Sequence, residues 1–163
     1  MVQYSIEPRS HILDMNANKG ILLFRLSMGT IMVLHGLSKL LGGSMALQYV
    51  GGMPPFAPSN PNAQLVLGSI AAAFEILGGL GVLTGIGFRA ACAMLVLVLL
   101  GATSYHMTQV TNFSSLMMNT WPLELAFVFA SFLFIGPGEC VLCKKCSCGW
   151  CSCGKGDKAG TEP

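Results

Sequence analysis

Residues 62–89 read NAQLVLGSIAAAFEILGGLGVLTGIGFR. This stretch is apolar for longer than the roughly 20 residues a helix needs to cross a bilayer. Yet Glu75 sits near its centre. Carrying a carboxylate into hydrocarbon costs about 2.5–3.5 kcal/mol on insertion scales, so it must face a partner. At 100° per residue, Gly68, Ala71, Ala72, Gly78, Gly79 and Val82 share the face of Glu75. Small residues on one stripe allow a second helix to approach closely. Glu75 is therefore expected to face protein, and the remaining segments must supply what it meets.

Working outward, residues 20–41 form a first expected span, interrupted by Arg25, His35 and Lys39. Residues 42–61 are rich in glycine and proline and do not suit a span; a short interfacial helix around residues 45–50 and a loop are expected there. The second span covers 62–85 and the third 87–107, opened by Arg89 and closed by Tyr105 and His106. The fourth, 116–135, carries Trp121 and Pro122 near its start and Glu124 about one turn further in. Residues 1–19 read as a polar arm and 139–163 as a short cysteine-rich tail. The expected class is thus all-α, an integral membrane four-helix bundle.

Composition agrees. Only 10% of the 163 residues are charged, 53% are hydrophobic and the mean hydropathy is +0.64. A soluble domain carries about 25% charged residues. A net charge of +2 without a basic patch excludes a nucleic-acid partner. The lysines and arginines also set orientation. Arg9, Lys19, Arg89, Lys144, Lys145, Lys155 and Lys158 flank one side, and Lys39 alone marks the other. Both termini are expected on the cytoplasmic or matrix side of a bacterial cytoplasmic or organellar inner membrane. No cleavage pattern follows the first apolar run, so no signal peptide is expected.

Depth along each helix, at 1.5 Å per residue, suggests two polar layers. Near the inner side an Arg25–Glu75 ion pair is expected, which acts in a site or simply fixes helix register. Near the outer side His35, Lys39, His106 and Glu124 fall at one depth. They suggest a polar pocket near the outer mouth with a binding or proton-exchange role. Snorkelling and capping explain each member singly.

The order of these residues resembles that of DoxX-family membrane proteins. The likeness rests on Arg25 followed by His35-Gly36 and Lys39, and on the Gly52-Met53-Pro54-Pro55 loop. It continues with Glu75, Gly78-Gly79, Gly85 and Arg89, then Glu124 and Gly136-Pro137-Gly138. The resemblance implies a four-helix membrane protein. It also implies links to quinone-reducing thiosulfate oxidation, to thiol-redox membrane complexes, or to accessory subunits of other oxidoreductases. After Gly138 the family commonly continues with an arginine, a serine and an aspartate; this chain has Glu139 and Cys140 instead.

Six cysteines crowd that tail: Cys140, Cys143, Cys146, Cys148, Cys151 and Cys153. Close thiolates suit zinc, copper(I) or an iron–sulfur cluster. Palmitoylation, a disulfide-stapled cap and a reactive tail are the other readings. Cys92, alone in the third span, reads as a small packing residue. There is no nucleophile elbow, zinc-protease helix motif or P-loop.

Three functions follow as expectations. The first is an accessory membrane subunit of a larger redox complex, which would need further subunits as partners. The second is a quinone-linked oxidoreductase component using the outer pocket. The third is a metal-binding or thiol-redox protein acting through its tail.

Overall fold

The computed structural model describes residues 9–138, with side-chain surroundings from Ala17 onward. It contains six helices and no strand among the described residues. Helix α1 is Arg9–Leu41, α2 is Gly43–Gly51, α3 is Pro61–Thr84, α4 is Phe88–Thr108, α5 is Phe113–Asn119 and α6 is Trp121–Ile135.

Three of these, α1 over Ala17–Leu41, α3 and α4, are long and apolar enough to cross a membrane, and α5 with α6 passes the same test as a pair bent by 42°. The expected fourth span is therefore broken at Thr120, where Pro122 follows within two residues and withholds a backbone donor. Helix α1 starts at Arg9, so the expected polar arm is helical over its second half. At 33 residues α1 is about 50 Å long, more than the ~30 Å hydrocarbon thickness, and its polar first turns lie beyond the apolar window. Helix α2 occupies the place of the expected short interfacial piece.

Local sequence accounts for the ends. Asn60 caps α3, its side-chain oxygen accepting from the Asn62 amide at 2.8 Å, and Pro61 follows where a missing N–H is harmless. Gly85 ends α3 with φ +76°, a left-handed conformation that glycine adopts without steric cost. Asn112 and Ser115 form a reciprocal capping box at α5.

Helix α3 packs against α1, α2 and α4, and α4 packs against α6. Its buried residues are Gly68, Ala72, Glu75, Gly78, Gly79 and Val82, one stripe. A Cβ on Gly29 would lie 2.9 Å from the Gly79 carbonyl, and one on Gly36 would lie 2.7 Å from that of Ala72. The two backbones thus touch, which is how helices gain packing energy where lipid removes the hydrophobic drive. Gly51 and Gly68 bring α2 onto α3 in the same way.

The core lies between α1, α3, α4 and α6 and includes Met32, Val82, Leu95, Leu99 and Phe129, with Cys92 fully buried among them. Phe24 stacks on Phe132 with ring centroids 4.0 Å apart, joining α1 to α6. Large apolar side chains such as Leu23, Leu34, Leu77, Leu97 and Phe134 point outward, as a lipid-facing surface requires.

Candidate functional site

The close approaches at Gly29–Gly79 and Gly36–Ala72 fix an antiparallel register, each step along α1 matching one step back along α3. In that register Glu75 comes level with Val33, six residues before Lys39 on α1, and the long Lys39 side chain leans back toward the helix N-terminus to reach it. The Lys39 ammonium forms an ion pair with Glu75 Oε1. Both carry little exposure, 23% for the Lys39 side chain and 8% for that of Glu75. The other carboxylate oxygen, Oε2, is buried and has no hydrogen-bond partner.

Around this pair lies a cavity of about 430 Å³, within the range of small-molecule sites. His35 and Lys39, one turn apart on α1, and Glu75 form one wall, with Tyr105, His106 and Trp121 opposite. Met53, Pro54, Pro55 and Phe56 line it from the loop after α2, and Gln64 holds that loop by donating to the Pro58 carbonyl at 2.8 Å. Leu67, Phe74, Leu97 and Val98 make the remainder apolar. The site is therefore a small set of polar groups in an otherwise greasy space.

The aromatic side is ordered by its own contacts. The Trp121 ring lies nearly parallel to His35, centroids 6.2 Å apart, and edge-on to His106 at 5.2 Å. His106 Nδ1 is 2.9 Å from Asn119 Oδ1. The Asn119 amide nitrogen donates to the Ser115 carbonyl at 2.7 Å, which turns its oxygen toward the histidine. His106 must then donate from Nδ1, so in the neutral ring Nε2 carries the lone pair. The hydroxyls of Tyr49 and Tyr105 meet at 2.7 Å and link α2 to α4 beside the cavity.

Two sequence expectations need correction. The expected Arg25–Glu75 pair is replaced by Lys39–Glu75. In the observed register Arg25 comes level with Leu83, eight residues beyond Glu75 on α3 and so about 12 Å away along the axis. Arg25 is 1% exposed. It donates to the carbonyls of Val82 at 2.9 Å, Leu83 at 3.0 Å and Pro137 at 3.0 Å. Those α3 carbonyls belong to its last turn, where intrahelical donors run out and a cation is favoured. The glycine contacts, not the ends of the apolar runs, set the register of α1 against α3.

Glu124 is the second correction. It is exposed and does not line the cavity; its carboxylate accepts from Thr120 Oγ1 at 2.7 Å at the start of α6. The sequence-derived pocket thus keeps His35, Lys39 and His106, loses Glu124 and gains Glu75. Tyr105, Trp121 and Asn119 also join it. The first two stand next to or near expected members in the chain, but no spacing rule marks Asn119.

The tail cysteines Cys140, Cys143, Cys146, Cys148, Cys151 and Cys153 lie outside the described residues. Among the described residues no group of three or more histidines, cysteines or carboxylates is placed to hold a metal ion.

Comparison with known proteins gives one match. A family model, DoxX, matches residues 20–108, which contain the Arg25 clasp, the Lys39–Glu75 pair and the loop lining the cavity, and stop before Glu124. No curated protein and no solved structure matches the chain. Since the matched segment is more than half of the sequence and holds most of the cavity wall, this chain is a member of the DoxX family.

Proposed function

We propose that this protein is a membrane subunit of a redox complex and that its cavity holds a quinone head group. The observation that carries the reading is the Lys39–Glu75 pair: a buried charge pair, half satisfied, in the wall of an otherwise apolar cavity of about 430 Å³. A pair that served only to lock two helices would be expected to have all its lone pairs met.

The residues fit such a group. Lys39 supplies a cationic donor, His35 and His106 supply imidazole nitrogens that can donate or accept, and Trp121 offers a ring face for stacking. A quinone, when bound, supplies two-electron, two-proton carrier chemistry. The chain's own residues would bind and orient it, exclude water through the Met53–Phe56 segment, and take up or release protons at Glu75 and His106. Electrons would come from a partner subunit, which is why the protein is read as part of a complex.

The same reading counts the bent α5–α6 pair as a fourth span and assembles α1, α3, α4 and α6 as a four-helix bundle. The cluster Arg9, Lys19 and Arg89 puts both termini on the cytoplasmic or matrix side. The cavity then opens toward the opposite face of the membrane.

The test uses a short-chain benzoquinone with the full-length protein in detergent, in a Trp150→Phe background that leaves Trp121 as the sole tryptophan. Saturable quenching of Trp121, weakened tenfold or more by Lys39→Met and by His35→Ala, is the expected result. Absence of saturable quenching would leave only a structural accessory role for the bundle.

A further inference from the structure

We infer that the cavity takes the hydroquinone in preference to the quinone, because the buried polar atom left without a partner in its wall, among the described residues, is an acceptor. The inference rests on the quinone reading given above and specifies the form of the ligand.

As the carboxylate of its ion pair with Lys39, Glu75 can only accept. Its Oε1 is taken, while Oε2 is buried without a donor among the described residues. The terminal torsion of a glutamate is soft, so a small turn presents that oxygen to the cavity without breaking the ion pair. His106 spends its Nδ1–H on Asn119, and the Asn119–Ser115 bond prevents the amide from turning over. That leaves His106 Nε2 as an acceptor, also without a protein partner among the described residues. Tyr49 and Tyr105 spend one hydroxyl proton on each other, and the accepting one keeps its own O–H as a donor.

Two acceptors thus remain on walls contributed by α3 and α4. On the donor side stand the remaining Lys39 protons and His35, both on α1. A quinone brings two carbonyl oxygens, which accept only; set against Glu75 Oε2 or His106 Nε2, each meets a lone pair. A hydroquinone brings two O–H groups, one for the buried Glu75 Oε2 and one for the half-buried His106 Nε2. A buried acceptor left without a donor is more costly than a hydrogen bond made is favourable. The preference is therefore expected to be about tenfold or more. By linkage, each tenfold preference for the reduced form raises the midpoint potential of the bound two-electron couple by about 30 mV.

The experiment is calorimetric titration of the full-length protein in detergent, under argon, with a short-chain benzoquinol and with the benzoquinone of identical ring substituents. The quinol binding about tenfold or more tightly supports the inference. In Glu75→Gln the amide both donates and accepts, and the ratio should fall toward one. Because Lys39 then loses its partner, the Lys39→Met/Glu75→Gln pair is measured beside it; that pair leaves no lone buried charge. Equal or tighter quinone binding by the wild type overturns the inference and leaves the quinone site standing. No binding of either form overturns both. A ratio unchanged in both variants removes Glu75 as its source.

Discussion

Lys39 near the end of α1 neutralises one carboxylate oxygen of Glu75 in the middle of α3, and leaves the other oxygen inside the cavity wall without a donor. The relationship depends on backbone contact between the two helices. Gly29 and Gly36 have no side chain to hold α3 off, so the backbones lie close enough for the Lys39 side chain, six residues from the level of Glu75, to lean back and reach it. A side chain at either glycine would separate the helices and break the pair.

The pairing itself can be measured by a double-mutant cycle on reversible unfolding in mixed micelles. Lys39→Met alone should cost about 3–5 kcal/mol, since it leaves an unpaired buried carboxylate. Lys39→Met with Glu75→Gln should recover much of that loss, with a coupling energy above about 1 kcal/mol. Arg25 and Glu75 should be additive within about 0.5 kcal/mol. Strong coupling between Arg25 and Glu75 would reinstate the pair expected from sequence.

Arg25 acts at the other end of the helices. Its bonds to Val82, Leu83 and Pro137 tie α1 to the last turn of α3 and to the segment after α6. Arg25→Ala should lower stability by about 3–5 kcal/mol, because buried carbonyls lose charged donors. Arg25→Lys should recover only part of this, since an ammonium cannot reach three carbonyls in the fork geometry of a guanidinium. Full rescue by lysine would show that charge alone matters there.

Two glycines should behave oppositely. A Cβ at Gly68 would collide with the Leu47 carbonyl of α2, whereas one at Gly101 meets nothing within 4 Å. Gly68→Ala should therefore destabilise by about 1–3 kcal/mol through overpacking. Gly101→Ala should be neutral or stabilising by up to about 1 kcal/mol. Gly101 also lines the cavity, so Gly101→Leu should keep the fold but fill the space, with loss of benzoquinone quenching at an unchanged melting temperature.

Glu124 serves as the internal control. It lies outside the cavity, in the first turn of α6, where its carboxylate accepts from the Thr120 hydroxyl. Glu124→Gln should cost about 0.3–1 kcal/mol, the worth of an anion at a helix N-terminus. It should leave quinone affinity within twofold of wild type, while His35→Ala weakens it. A tenfold loss in Glu124→Gln would return that carboxylate to the site.

The all-α class and the apolar spans were legible in the sequence, because apolar runs of bilayer length admit few other structures. The buried stripe of α3 was legible too. Gly68, Ala72, Gly78, Gly79 and Val82 share a helical face with Glu75 whatever packs against them, and all are buried. Cys92 likewise sits in the core as a small apolar residue. The short α2 followed from glycines and prolines that forbid a span.

What the chain by itself could not decide was the partner of each polar residue. Helical periodicity gives the direction in which Glu75 points, but not the axial offset between α1 and α3. That offset is set by where Gly29 and Gly36 allow backbones to meet; it leaves Arg25 eight residues and Lys39 six residues from the level of Glu75 on opposite sides, and only Lys39 leans toward it. In the same way, the bend at Thr120 takes Glu124 out of the pocket and brings Trp121 in, and a side-chain amide thirteen positions along fixes the proton of His106. Sequence determined which faces are buried, because periodicity is local. Only the tertiary structure determined which buried charges meet, because that depends on how separate helices slide against one another.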